Sequence, residues 1–476
     1  MAGDILNTPQ DSLAKPKVNI PTMFRLGLFQ MGLSMMSILT LGVLNRVMIQ
    51  DIAFPATLAS LVLALPAFVA PTRIWFGQVS DVKPFFGYHR TAYVWLGAGI
   101  FAIAAFLSIQ VIWQLNAAVG DTWIWTNQVT GLLLLLGLVF GIYGLAVCLS
   151  GTTFAALLVD ISEEENRSQV VGIVWSMLMV GIIVGAIISS VLLRQLDSDA
   201  PLETLQAAVN RLFIIVPGIV FGLSIIATIG VEKKYSRFSQ RSQSDKRDDS
   251  IAIGKAWSIL TASPQTGLFF TFLLVMTISL FMQDPILEPY AGQVFDMPLS
   301  ESTQLNVFYG MGILVAYGTT GFFIVPRLGK RKTIKLGCFL VAFSALLLGF
   351  SGFSANPIFL KFGLVIFGLS TGFLTTAAVS LMLDLTVAEA AGTFIGAWGL
   401  AQSISRGIAI FIGGTVLDIG RNLIFPNNLV LAYGLVFALE AFGMIVSLQF
   451  LSKINVQEFQ TSSKKALSSV LESDLD

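Results

Sequence analysis

Residues 160–165, Asp-Ile-Ser-Glu-Glu-Glu, lead on to Gly172, and 224 positions later residues 384–389, Asp-Leu-Thr-Val-Ala-Glu, lead on to Gly396 at the same spacing. Each copy sits where one long apolar run ends and the next begins, with acidic residues on both sides of the junction. A carboxylate at that place suits the positive end of the following helix. Asp160 and Asp384 are therefore read as capping and gating structure. Working outward from the two copies, apolar runs of about 20 residues or more, enough to cross a hydrocarbon core about 30 Å thick, recur on both sides. Six fall at approximately 22–48, 55–79, 90–113, 129–159, 167–194 and 209–231, and six at 262–284, 303–326, 333–354, 357–383, 390–417 and 427–452. The composition agrees: 476 residues are 55% hydrophobic and 12% charged, with 28 basic and 28 acidic side chains. Soluble chains carry about a quarter charged residues, so the solvent for most of this chain is lipid.

The expected architecture is thus an all-α integral membrane protein of twelve transmembrane helices in two six-helix pseudo-repeats. Its parts are a tail over 1–21, a first bundle over 22–231, a polar linker over 232–261, a second bundle over 262–452 and a tail over 453–476. Tandem six-helix halves joined by a polar linker are the plan of the major facilitator superfamily, whose halves rock about a central cavity. Lys and Arg crowd onto one side of this topology, while Arg46, Arg194, Arg211, Lys361 and Arg421 fall on the other. Short basic loops are held on the cytoplasmic side, so both termini are expected there. Residues 1–20 lack the basic start, short apolar core and small-residue cleavage site of a signal peptide. With no basic surplus, nucleic acid is not an expected partner. Cys148 and Cys338 lie far apart in apolar runs, which argues against a disulfide framework or a Cys-ligated metal.

Polar groups inside such a bundle cost several kcal/mol and persist with a partner or a purpose. They are few here. Arg406 and Glu440 are deep, at levels that agree within about 3 Å at 1.5 Å per residue, and an ion pair between them is expected. Glu440 could instead hold magnesium or a partner helix. A second group lies at the outer mouth, where Asn45 and Arg46 end the first helix and Gln283-Asp284-Pro285-Ile286-Leu287-Glu288-Pro289 end the seventh. The prolines break the helix there, and Arg46 is expected to meet Asp284 or Glu288 when the outer gate closes.

At the other end, residues 77–90, GQVSDVKPFFGYHR, resemble the superfamily's loop motif. In that motif a glycine (here Gly77) permits close helix approach and an aspartate (Asp81) pairs with basic residues such as Arg90, though extra residues separate Asp81 from Gly87. The lone histidine, His89, reads as packing in this gate. Glycine pairs such as Gly137/Gly141, Gly181/Gly185, Gly218/Gly222 and Gly368/Gly372 are expected at close helix contacts. No phosphate loop, paired catalytic carboxylates or Ser/His/Asp set is present, so no enzyme and no catalytic or metal site is expected.

Three stretches, residues 44–73, 77–97 and 281–306, resemble the bacteriochlorophyll delivery (PucC-like) family of the major facilitator superfamily. The most specific piece is QDPILEPYAGQVF at 283–295. The resemblance covers nearly all twelve helices. It implies a membrane factor that supplies or holds chlorophyll or bacteriochlorophyll while light-harvesting or photosystem subunits assemble in a photosynthetic membrane, with pigment-synthesis enzymes as further partners. No histidine lies in the membrane, so pigment magnesium would need oxygen donors, for which Glu440, Asp284, Glu288 and Asn45 are the candidates. Two other classes stay open: a secondary transporter of an amphipathic small molecule, and an interaction scaffold without cargo.

Overall fold

The computed structural model describes residues 16–120, 123–162, 164–196, 201–236, 264–384, 391–455 and 458. The expected linker over 232–261, beyond its first five residues, and the terminal tails lie largely outside them. The first helix group comprises α1 (Ile20–Ser37), α2 (Ala56–Phe68), α3 (Thr72–Val82), α4 (Thr91–Val119), α5 (Asn127–Ile161), α6 (Glu164–Leu193), α7 (Leu202–Thr228) and the short α8 (Val231–Tyr235). The second comprises α9 (Pro264–Phe281), α10 (Leu287–Phe295), α11 (Leu299–Thr319), α12 (Val325–Leu328), α13 (Lys330–Ser354), α14 (Pro357–Asp384), α15 (Ala391–Ile419) and α16 (Leu429–Lys453).

This is an integral, multi-pass membrane fold. Ten helical spans among the described residues are long and apolar enough to cross a bilayer. The expected seventh span is shorter, since α9 stops at Phe281 and the chain turns through Met282–Ile286 before α10 begins. Pro285 supplies no backbone N–H there and interrupts the ladder. The expected eighth span, α11, opens on the polar run Ser300–Gln304.

Within the first group α1 packs on α6 and α7, and α4 on α5 and α7; within the second, α11 and α13 pack on α14, and α9 and α13 on α16. The groups meet along a seam where α2 lies on α15 and α6 on α11. Small residues set the approach in some of these contacts. A Cβ at Gly181 or Gly185 of α6 would collide with α1, and one at Gly368 or Gly372 of α14 with α11. By contrast Gly218, Gly222 and Gly141 face open space, so those pairs do not mark close approach.

Candidate functional site

The hydrogen bonds described between the two groups all lie toward one end of the seam. There α1 widens into π-helical turns at Ile38–Leu44 and Val47–Asp51, flanking Asn45 and Arg46. Such bulges rotate the following side chains out of α-helical register and recur at functional places. Asn45 Nδ2 donates to the Pro285 carbonyl, and Arg46 donates to the Met297 carbonyl at 2.6 Å, the Pro298 carbonyl at 3.2 Å and Ser302 Oγ. Glu288 sits beside them, buried, with Oε1 accepting from Asn306 Nδ2 at 2.6 Å. A Cβ on Gly42 would run into the Glu288 carboxylate, so helix α1 meets this acid only because residue 42 has no side chain.

Arg46 therefore bridges the seam at this end through carbonyl and hydroxyl acceptors, not through the expected carboxylate. No ion pair to Asp284 or Glu288 is formed among the described residues. The carbonyls of Met297 and Pro298, at the turn into α11, present a better-aimed set of acceptors to its planar fork.

Asp418 adds a contact that sequence reasoning missed. It accepts from the backbone N–H groups of Ala56 at 3.2 Å and Thr57 at 2.7 Å, and pairs with Arg421 at 2.7 Å. Pro55 at the N-cap of α2 offers no side-chain acceptor, so the other group supplies the cap. On a different helix pair across the seam, Gln304 of α11 donates to Ser190 of α6 at 2.9 Å.

Deeper in the seam the expected Arg406–Glu440 pair does not form. Arg406 Nη2 instead bonds Asp284 Oδ2 at 2.9 Å, with the guanidinium 4.7 Å from the centre of the Phe281 ring. The turn that follows α9 carries Asp284 inward to the level of Arg406. Asp284 Oδ1 also accepts from Gln283 Nε2 at 3.0 Å. Glu440, on α16, is fully buried, and no donor reaches either of its oxygens. It lies near enough to Asp284 to feel its charge. The four residues considered as pigment ligands are thus not gathered. Asn45 and Glu288 belong to the end closure, Asp284 is engaged by Arg406, and Glu440 is sealed away. In this conformation none of them presents an open oxygen to a large ring.

At the opposite end the buried Arg90 organises a knot of hydrogen bonds. It bonds Asp160 Oδ2 at 2.8 Å, Asp81 Oδ1 and Ser80 Oγ. Burial disfavours its charge, but hydrogen bonds and attraction from Asp160 and Asp81 win, and its pKa moves up. Glu232 of α8 accepts from the N–H groups of His89, Arg90 and Thr91, which caps α4. The polar segment expected as linker from residue 232 thus starts with a docked helix. His89 Nδ1 lies 3.2 Å from the Ser80 carbonyl, a packing role as read from the sequence. Gly77 is not a forced approach, since a Cβ there would meet Thr152 at an ordinary 3.7 Å. Asp384, the expected counterpart of Asp160, has a side chain outside the described residues.

Solved structures share this fold over nearly the whole chain. A bacterial homologue of the iron transporter ferroportin, in its inward-facing state, superposes with TM-score 0.66 at 11% identity, covering 92% of this chain and 100% of its own. A bacterial homologue of the human lysosomal transporter Spinster, inward-facing and unoccupied, gives 0.62 at 14% identity, covering 95% and 99%. At such identities the likeness is one of fold, that of major facilitator transporters. Among curated relatives, Protein PucC of Rhodobacter capsulatus is 27% identical over 93% of this chain and 94% of its own. The same species' bacteriochlorophyll synthase 44.5 kDa chain is 30% identical over 89% and 93%. The profile of the PUCC protein family matches residues 43–459, so this chain belongs to that family.

Proposed function

We propose that this protein is a membrane-embedded assembly factor that holds or delivers chlorophyll or bacteriochlorophyll while light-harvesting or photosystem subunits acquire it. It acts as a carrier rather than an enzyme, and its place is a photosynthetic membrane with both termini in the cytoplasm. The observation that carries this reading is the chemistry of the seam in a chain of this family. Its depth carries few charged groups, and the exposed one described there, Arg406, is neutralised by Asp284. A polar solute needs several polar contacts to replace its hydration, whereas an apolar cargo needs shape and one or two placed donors. The names of the relatives, PucC and a bacteriochlorophyll synthase chain, agree with pigment work. Light-harvesting or photosystem subunits, with pigment-synthesis enzymes beside them, are the fitting partners.

The test is the visible absorption spectrum, with the accompanying protein bands, of the tagged chain extracted in mild detergent from photosynthetic membranes. Near-stoichiometric pigment is the expected result. A colourless preparation that keeps antenna subunits would make it a scaffold. One lacking both would return the reading to transport of an amphipathic small molecule.

A further inference from the structure

Arg406 has more donors than partners. A guanidinium carries five N–H groups. Asp284 engages Nη2, Nε is buried without an acceptor, and Nη1 makes no described bond. The side chain is 42% exposed although it starts near the middle of α15, about 20 Å from the helix end at 1.5 Å per residue. The next residue, Gly407, packs against Ala67 and Phe68 of the first helix group, and Asp284 belongs to the turn after α9, so this stretch of α15 runs along the seam between the two groups. An aromatic surface flanks it, the Phe281 ring beneath the guanidinium at 4.7 Å.

Charge balance decides which ligand suits these spare donors. Arg406 is already neutralised by Asp284, and the other titratable groups nearby, Glu440 and Tyr309, supply no cation. A ligand carboxylate would add an uncompensated negative charge to a low-dielectric seam. A ketone or ester oxygen accepts the same N–H groups and adds none. We propose that the Arg406–Asp284 pair is a binding site for an uncharged, carbonyl-bearing apolar ring ligand, such as an esterified tetrapyrrole, and selects it against the corresponding free acid. This rests on the pigment-holding reading above and assigns the residues and the selectivity.

The experiment is a fluorescence-quenching titration of the full-length protein in detergent with two probes, a chlorin methyl ester and its free acid. The wild type is expected to bind the ester about tenfold tighter or better, the factor that about 1.4 kcal/mol represents. Asp284→Asn, which leaves Arg406 uncompensated, should reverse the order. The double variant Arg406→Gln/Asp284→Asn strands no charge, so it is the better-folding control, and should weaken the ester and erase the preference. Equal binding of both probes, tighter binding of the acid by the wild type, or undiminished ester preference in the double variant would overturn the site while leaving pigment holding intact. Failure of both probes to bind would overturn the site and the pigment reading together.

Discussion

Gly42 and Glu288 meet so closely that neither position can be changed alone without consequence. Gly42→Ala drives a methyl group into a buried carboxylate, and overpacking of this kind typically costs about 1–3 kcal/mol. Thermal unfolding in detergent should show the loss. Adding Glu288→Ala should return part of it, so that the double variant is less destabilised than the two single changes combined. Independent, additive effects would show that the contact does not couple the halves. Arg90 leads to a different kind of statement. Its pKa is raised from an ordinary value that is already far above neutrality, so its pairing contributes fully below that ordinary value and is lost only as pH rises past the raised one. Between about pH 6 and 9 the Arg90 charge therefore adds no slope to stability. A measured slope there that disappears in Arg90→Gln would contradict this.

At the level of elements, the cap that Asp418 places on α2 should be worth about 0.5–2 kcal/mol, the usual range for losing a helix N-cap. Asp418→Ala is expected to lower the unfolding midpoint, and Asp418→Asn to retain part of the effect by keeping an acceptor. Much of the helix pattern was legible from hydropathy alone, because a bilayer imposes one length and one polarity on every span. The break near Pro285 was legible too, since proline has no N–H to give, and so was the pairing of Asp81 with Arg90 within one short loop. The partner of Arg406 was not. Depth arithmetic treats helices as straight rods and is blind to rotation about their axes, so it could not tell Glu440 from Asp284, which the turn after α9 swings inward. Nor could any local pattern reveal Asp418 as the cap for residues some 360 positions earlier in the chain, or Glu232 as the cap of α4 when its surroundings read as a polar linker.

At the scale of the whole molecule, the seam can be tested directly. A Cβ built on Gly310 of α11 would stand 3.9 Å from the Cβ of Ile182 on α6, within the separation a disulfide spans. In a background with Cys148 and Cys338, both buried and free, changed to serine, Ile182→Cys/Gly310→Cys should crosslink on mild oxidation. Mass spectrometry of the linked peptides would detect it. Absence of the bond would mean that α6 and α11 do not lie together in the membrane.

The gathering of inter-group hydrogen bonds at one end carries an implication for timing. Asn45, Arg46, Asp418 and Gln304 hold that end at spots spread over four helix pairs, and a rigid rotation of one half must release them together rather than one at a time. With each bond worth about 1 kcal/mol net, the released state would be populated far below one part in a hundred. The protein would then behave as a ratchet with a long dwell: it rests closed toward that face, and any cargo in the seam escapes sideways or backward much more often than through it.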